Sequence, residues 1–201
     1  MDRDTLSWYE TYAEYYIERT DSFEPFHGLE RDLLAFVGYL ASDALVVDLG
    51  SGAGRDARFI AASGHPVIAV DASRSLLRRC LTAAGPTLPI FGVNADLLAL
   101  PFADNTIGGI WACGSLLHML RDEIPAVVTR CLEILQPGAP IGLSMKQGHG
   151  SERRDDGRYF TYTNKQEMYQ WLSSSGFERI LITGPSRNDW LLAFAVKPMV
   201  Y

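Results

Sequence analysis

The chain has 201 residues, 47% hydrophobic and 21% charged, with a formal net charge of −6. That size suits one α/β domain with a substantial core and is too short for two comfortable ones. The acidic balance argues against a polyanion such as nucleic acid as partner, and no apolar run approaches the ~20 residues that cross a bilayer.

Met1-Asp2-Arg3-Asp4 lacks the basic start and apolar core of a signal peptide, and Cys80, Cys113 and Cys131 form no pair or framework. A cytoplasmic protein with reduced thiols is expected. Arg74, Arg78 and Arg79, and again Arg153, Arg154 and Arg158, form local basic clusters that read as solvated faces.

Two helical segments come first, over about 5–20 and 25–40, the first rich in aromatic residues (Trp8, Tyr9, Tyr12, Tyr15, Tyr16). Apolar runs then alternate with helical stretches, the pattern of a parallel sheet with crossover helices. Strands are predicted at 44–49, 67–70, 88–93, 107–113 and 141–145. The helices between them cover about 54–63, 73–84 and a stretch opening near Asp122–Ile124, which keeps Pro125 in its first turn. Leu120, Ile124, Val127, Val128, Cys131 and Leu135 predict one buried face there. Thr163 with Gln166 reads as a capping box for a helix that Gly176 closes. Strands at 180–183 and 191–196 end the pattern, with the last antiparallel. The polar run 148–157 reads as a lid or an ordinary loop. The expected fold is therefore α/β: a Rossmann-like, seven-stranded, mostly parallel sheet with helices on both faces and the last strand antiparallel. Residues 1–201 form one domain, divided into a helical lid (1–40) and a core (41–201).

The first strand ends in Asp48-Leu49-Gly50-Ser51-Gly52-Ala53-Gly54-Arg55, a glycine-rich turn opening a helix. Such a turn brings backbone N–H groups and a helix N-terminus close to a ligand. A dinucleotide fingerprint would need Gly or Ala where Arg55 stands, and the Lys-Ser or Lys-Thr pair of a phosphate loop is absent. A plain strand-to-helix turn is the competing reading. Asp71 ends the second strand, where a carboxylate can accept both ribose hydroxyls of an adenosyl group or simply cap the next helix. Asp96 follows the third strand, where it can accept an adenine amino hydrogen while the next backbone N–H, that of Leu97, meets the ring nitrogen; a turn role is the alternative.

In this order these features resemble the class I S-adenosylmethionine (SAM) dependent methyltransferases. Asp48-x-Gly50-x-Gly52-x-Gly54 resembles their motif I, and Asp96-x-x-x-Leu100-Pro101-Phe102 resembles their D-x-x-x-L-P-F stretch. Ser115-Leu116-Leu117-His118 is similar to the segment after the fourth strand in type 11 small-molecule methyltransferases. Leu135-Gln136-Pro137-Gly138 is similar to L-K-P-G-G. Arg158-Tyr159-Phe160 with Ser175-Gly176-Phe177 resembles a late R-Y-F…A-G-F segment. Tyr9-x-x-x-Ala13-x-x-Tyr16 resembles an N-terminal helix that lids the cofactor. One departure is Ile107-Gly108, where the family usually has Phe-Asp.

The resemblance implies SAM as cofactor, S-adenosylhomocysteine (SAH) as product, and methylation of an O, N or C atom of a small molecule. It implies that Tyr9 and Tyr16 meet the methionine end, with Gly50, Gly52 and Arg55 lining it. Ser51, Asp71, Ala72, Asp96, Leu97 and Cys113 complete the expected cofactor set. Tyr9 and Tyr16 could instead be packed on an amphipathic helix. His118 is the candidate base, since histidine titrates near working pH, with burial as a structural residue the alternative. His149 is a second choice, and His27 and His65 read as loop residues. No metal is expected. Trp8, Tyr9, Tyr159, Phe160 and Trp190 hint at an apolar or ring-bearing acceptor. A monomer or homodimer is expected. A SAM-binding sensor or inactive partner subunit is the rival reading; a nicotinamide-dependent oxidoreductase is disfavoured by Arg55.

Overall fold

A computed structural model describes residues 2–186 and 189–199. β1 (Val46–Leu49) is buried along its whole length, as expected of a strand covered on both faces. It pairs in parallel with β2 (Val67–Asp71) on one side and β4 (Gly109–Cys113) on the other. β3 (Ile90–Asn94) extends one edge and β5 (Pro140–Lys146) lies beside β4. β9 (Trp190–Val196) is antiparallel to both β5 and β8 (Glu178–Ser186). The order is β3-β2-β1-β4-β5-β9-β8, so only the last strand runs against the others. Because the chain leaves β1 toward β2 and returns on its other side as β4, a crevice opens beyond the carboxyl ends of these two strands.

Helices cover both faces. α3 (Leu29–Val37), α4 (Arg55–Ala62) and α5 (Arg74–Ala84) pack Leu33, Phe36, Ile60 and Leu77 against Val46, Val67 and Trp111. α6 (Ile124–Ile134) and α7 (Lys165–Ser175) pack Val128, Ile134, Met168 and Leu172 against Val47, Ile110 and Leu143. β9 shows the two-residue period of a strand, with Leu192 in the first layer and Leu191 and Ala193 in the second.

The leading helical segment is two helices, α1 (Arg3–Thr11) and α2 (Ala13–Thr20), divided at Tyr12. They form a separate small cluster in which Tyr9, Ala13 and Ile17 pack on Ala53 and Leu76. α3 belongs to the core layer. Leu120 lies before α6 and is 44% exposed, so the buried face begins only at Ile124; Pro125 sits in the first turn. Asn164 caps α7 by accepting from the Glu167 amide, while the Thr163 hydroxyl donates to the Glu167 carboxylate. Residues 148–157 are not an irregular loop. β6 (Ser151–Arg153) pairs with β7 (Tyr159–Thr161) in a hairpin whose strands are too short for alternation to register.

A buried polar node joins layer and turn. The Trp111 indole N–H donates to Asp56 Oδ2 at 2.8 Å, and Arg55 Nε donates to Asp56 Oδ1 at 2.7 Å. Trp111→Phe keeps the ring and orphans a buried carboxylate oxygen. Urea unfolding should show a loss of about 1–3 kcal/mol.

Candidate functional site

Two of the three turn glycines are dictated by packing. Gly50 has φ +70° and a Cβ there would lie 2.3 Å from the Ser115 Cβ; at Gly54 (φ +83°) it would lie 2.3 Å from Cys80 Sγ. Gly52 is different. Its nearest neighbour is the Tyr16 ring at 3.4 Å, and its amide donates to Asp71 Oδ2 at 2.8 Å. The Ser73 amide donates to Asp71 Oδ1, also at 2.8 Å. Burial pushes the Asp71 carboxyl up to about 6 against the pull of these two amides.

Around this corner lies a slot of about 60 Å³ lined by Gly50, Gly52, Asp71, Ala72, Leu97 and Cys113, with Tyr9 and Tyr16 over it. Asp96 stands just behind, accepting from the Leu98 amide and so shaping the short 3-10 turn that presents Leu97. Ser51 and Arg55 line a side recess of about 40 Å³ with Tyr16, Thr20, Asp48 and Asp56. Asp48 is held well above the usual carboxylate range by burial and the neighbouring Asp56 charge. The Ser51 and Ser115 hydroxyls are buried without a hydrogen-bond partner among the described residues. Polar atoms buried in this way beside a glycine turn fit a polar ligand.

A larger cavity of about 280 Å³ adjoins the slot, and Tyr9, Tyr16, Cys113, Gly114 and His118 line both. His118 Nδ1 lies 2.8 Å from the Tyr159 carbonyl, which can only accept, so Nδ1 carries the proton. Nε2 then accepts from the Tyr9 hydroxyl at 2.8 Å. Burial lowers the His118 pKa to about 4, so the ring is neutral at pH 7. The remaining histidines lie elsewhere. His149 borders a groove with Arg121 and Glu167, His27 is exposed and His65 is buried.

The second basic cluster is not simply a solvated face. Arg153 turns outward to pair with Asp2 and Asp4, while Arg154 and Arg158 line the larger cavity together with Lys146. Their inward placement had no signal in the sequence, because it depends on the β6–β7 hairpin folding back over the sheet end. Among the described residues no group of three or more His, Cys, Asp or Glu could hold a metal ion, and no helix is long and apolar enough to cross a membrane.

Residues 46–138, from β1 to the turn after α6, match the family model described as "Methyltransferase domain". That stretch is a little under half of the chain. The chain is 31% identical over 104 residues to "Methyltransferase GfsG" of Streptomyces halstedii; the match covers 49% of this chain and 36% of that protein, just over a third of its length. A SAM-dependent methyltransferase of Methanosarcina mazei superposes with a TM-score of 0.71 at 18% identity, covering 81% of this chain and 96% of that one. The 1,6-didemethyltoxoflavin-N1-methyltransferase of Burkholderia thailandensis, with bound 1,6-didemethyltoxoflavin and SAH, superposes with a TM-score of 0.74 at 19% identity. That superposition covers 96% of this chain and 88% of the other. At these identities the structures share the fold of this chain.

As placed, the Tyr9 hydroxyl donates to the neutral form of His118. Tyr9→Phe should therefore raise the His118 pKa above its starting value near 4, read from the imidazole resonances in an NMR pH titration.

Proposed function

We propose that this chain transfers a methyl group from SAM to a small-molecule acceptor. The observation that carries this reading is the junction of the two cavities, where Tyr9, Tyr16, Cys113, Gly114 and His118 separate a slot beside the glycine turn from the larger space. Bound in the slot, SAM would supply an activated methyl on a sulfonium. The chain's own task is then to hold cofactor and acceptor in line across that boundary and exclude water.

The Asp71 oxygens, each already fixed by one amide, keep lone pairs for two ribose hydroxyls. Leu97 and Asp96 would meet the adenine. The recess with Ser51, Asp48 and Arg55 suits an amino-acid end, the guanidinium receiving its carboxylate. α1 and α2 act as the lid. Glu10 accepts from the Arg74 and Ser75 amides at the start of α5, Asp21 pairs with Arg58 and Arg79, and the Thr5 hydroxyl accepts from the Tyr159 amide.

For a nucleophile that carries a proton, Tyr9 and His118 offer a path. The Tyr9 oxygen can accept the proton while its own passes to His118 Nε2. A neutral imidazole whose pKa is near 4 is a weak base. It therefore suits removal of a proton that methylation has already made acidic.

Calorimetry with SAH should give micromolar binding that Asp71→Ala weakens by about a hundredfold or more. A carboxyl with a pKa near 6 is ionised above that pH and takes a proton below it. Affinity should thus be constant above pH 7 and weaken as pH falls through 6, and Asp71→Asn should remove that step. Wild-type protein that fails to bind SAH would overturn the proposal. Binding without a methylated product from any small-molecule extract, judged by mass spectrometry, would favour a SAM-binding sensor or partner subunit.

A further inference from the structure

The larger cavity has a charge that the whole chain does not. Arg55, Lys146, Arg154 and Arg158 line it and, among the described residues, no carboxylate does, although the net charge is −6. The arginines have acid partners outside the cavity wall: Asp56 for Arg55, Asp156 for Arg158 and a 3.4 Å contact to Glu152 for Arg154. Their guanidinium groups also lie on rings, Arg154 at 3.8 Å from the Phe160 centroid and Arg55 at 4.3 Å from that of Phe26. Stacking on a ring holds a cation in place without neutralising it.

Lys146 stands apart. It ends β5 at the rim of the crevice, lines the larger cavity but not the slot, and makes no ion pair among the described residues. Its ammonium lies 5.5 Å from the Trp190 ring centroid, and Trp190 leans over Gly114 at the boundary with the slot. Burial and the nearby Arg154 charge lower its pKa, with Asp189 the one acid that opposes them. A half-buried ammonium pressed by a second cation is poorly compensated until an anion arrives.

We infer that the methyl acceptor is an organic anion, a flat or apolar body carrying a carboxylate or phosphate that Lys146 and Arg154 receive beside Trp190 and Phe160. This rests on the transferase reading of the site. The acid group would anchor the acceptor at Lys146 and Arg154, which line the larger cavity and not the slot. Its reacting atom is then left for the boundary at Tyr9 and His118, and charge-assisted bonds supply the affinity.

The test uses the full chain loaded with SAH, titrated at low salt with benzoate, phenyl phosphate and the neutral benzamide. At least one anion should bind about tenfold or more tighter than benzamide, and which one does separates carboxylate from phosphate. Lys146→Gln should lose about tenfold of that affinity and Lys146→Arg should keep most of it. SAH affinity should be the same in both variants, which also reports that they fold. Benzamide binding as tightly as both anions, Lys146→Gln leaving anion affinity unchanged, or no binding of any of the three at millimolar concentration would overturn the inference. SAH binding is measured first. If it fails, the transferase reading falls by itself, and the same three titrations on the unloaded chain still decide the charge preference of the cavity.

Discussion

The hydrogen bond from the Gly52 amide to the Asp71 carboxylate ties the turn after β1 to the end of β2, and the site is arranged around that tie. It orients the turn so that the backbone of Gly50 and Gly52 forms one wall of the slot, and it holds Asp71 where its remaining lone pairs face inward. The residues on either side serve it. Gly50 and Gly54 let the turn sit against Ser115 and Cys80, and the Ser73 amide pins the second carboxylate oxygen from the start of α5. A buried carboxylate held by two amides is rigid, and rigidity of this kind lowers the ordering cost of binding a ligand.

The site is also graded in charge. Near the glycine turn are buried carboxyls, Asp48, Asp56 and Asp71, of which Asp48 and Asp71 are pushed toward their neutral form by burial. Beyond the Tyr9–His118 boundary the lining is cationic. Arg55 joins the two regions, because the Asp56 carboxylate that it pairs with is itself held by the Trp111 indole deep in the core. The orientation of a cavity residue is thereby set by the packed sheet rather than by a loop.

Closure over both cavities comes from segments distant in sequence. α1 meets α5 through Glu10 and meets the β6–β7 hairpin through Thr5 and Asp2, whose carboxylate Arg153 pairs with. These links are polar: the Asp2–Arg153 pair is partly exposed, whereas Thr5 is buried. Together with the small apolar cluster on Ala53 and Leu76 they hold α1 and α2 in place, while the sheet beneath keeps the turn fixed.

Much of this was legible from residues alone. The alternation of apolar runs and helices placed all seven strands of the main sheet, and the buried parallel strands β1, β4 and β5 are nearly continuous hydrophobic runs. Asp48 to Gly54, Asp71 and Asp96 stood out because a sharp turn and strand-end carboxylates constrain residue type locally. Leu120, the Thr163 cap and the β6–β7 hairpin were misread because a helix start and a three-residue strand carry too few residues for periodicity. What tertiary structure alone decided is which side chains converge. The pairing of Tyr9 with His118, 109 positions apart, and the inward turn of Lys146, Arg154 and Arg158 follow from how lid, hairpin and strand ends meet in space. Local sequence records the shape of each segment, whereas the meeting of segments depends on the packing of the whole chain.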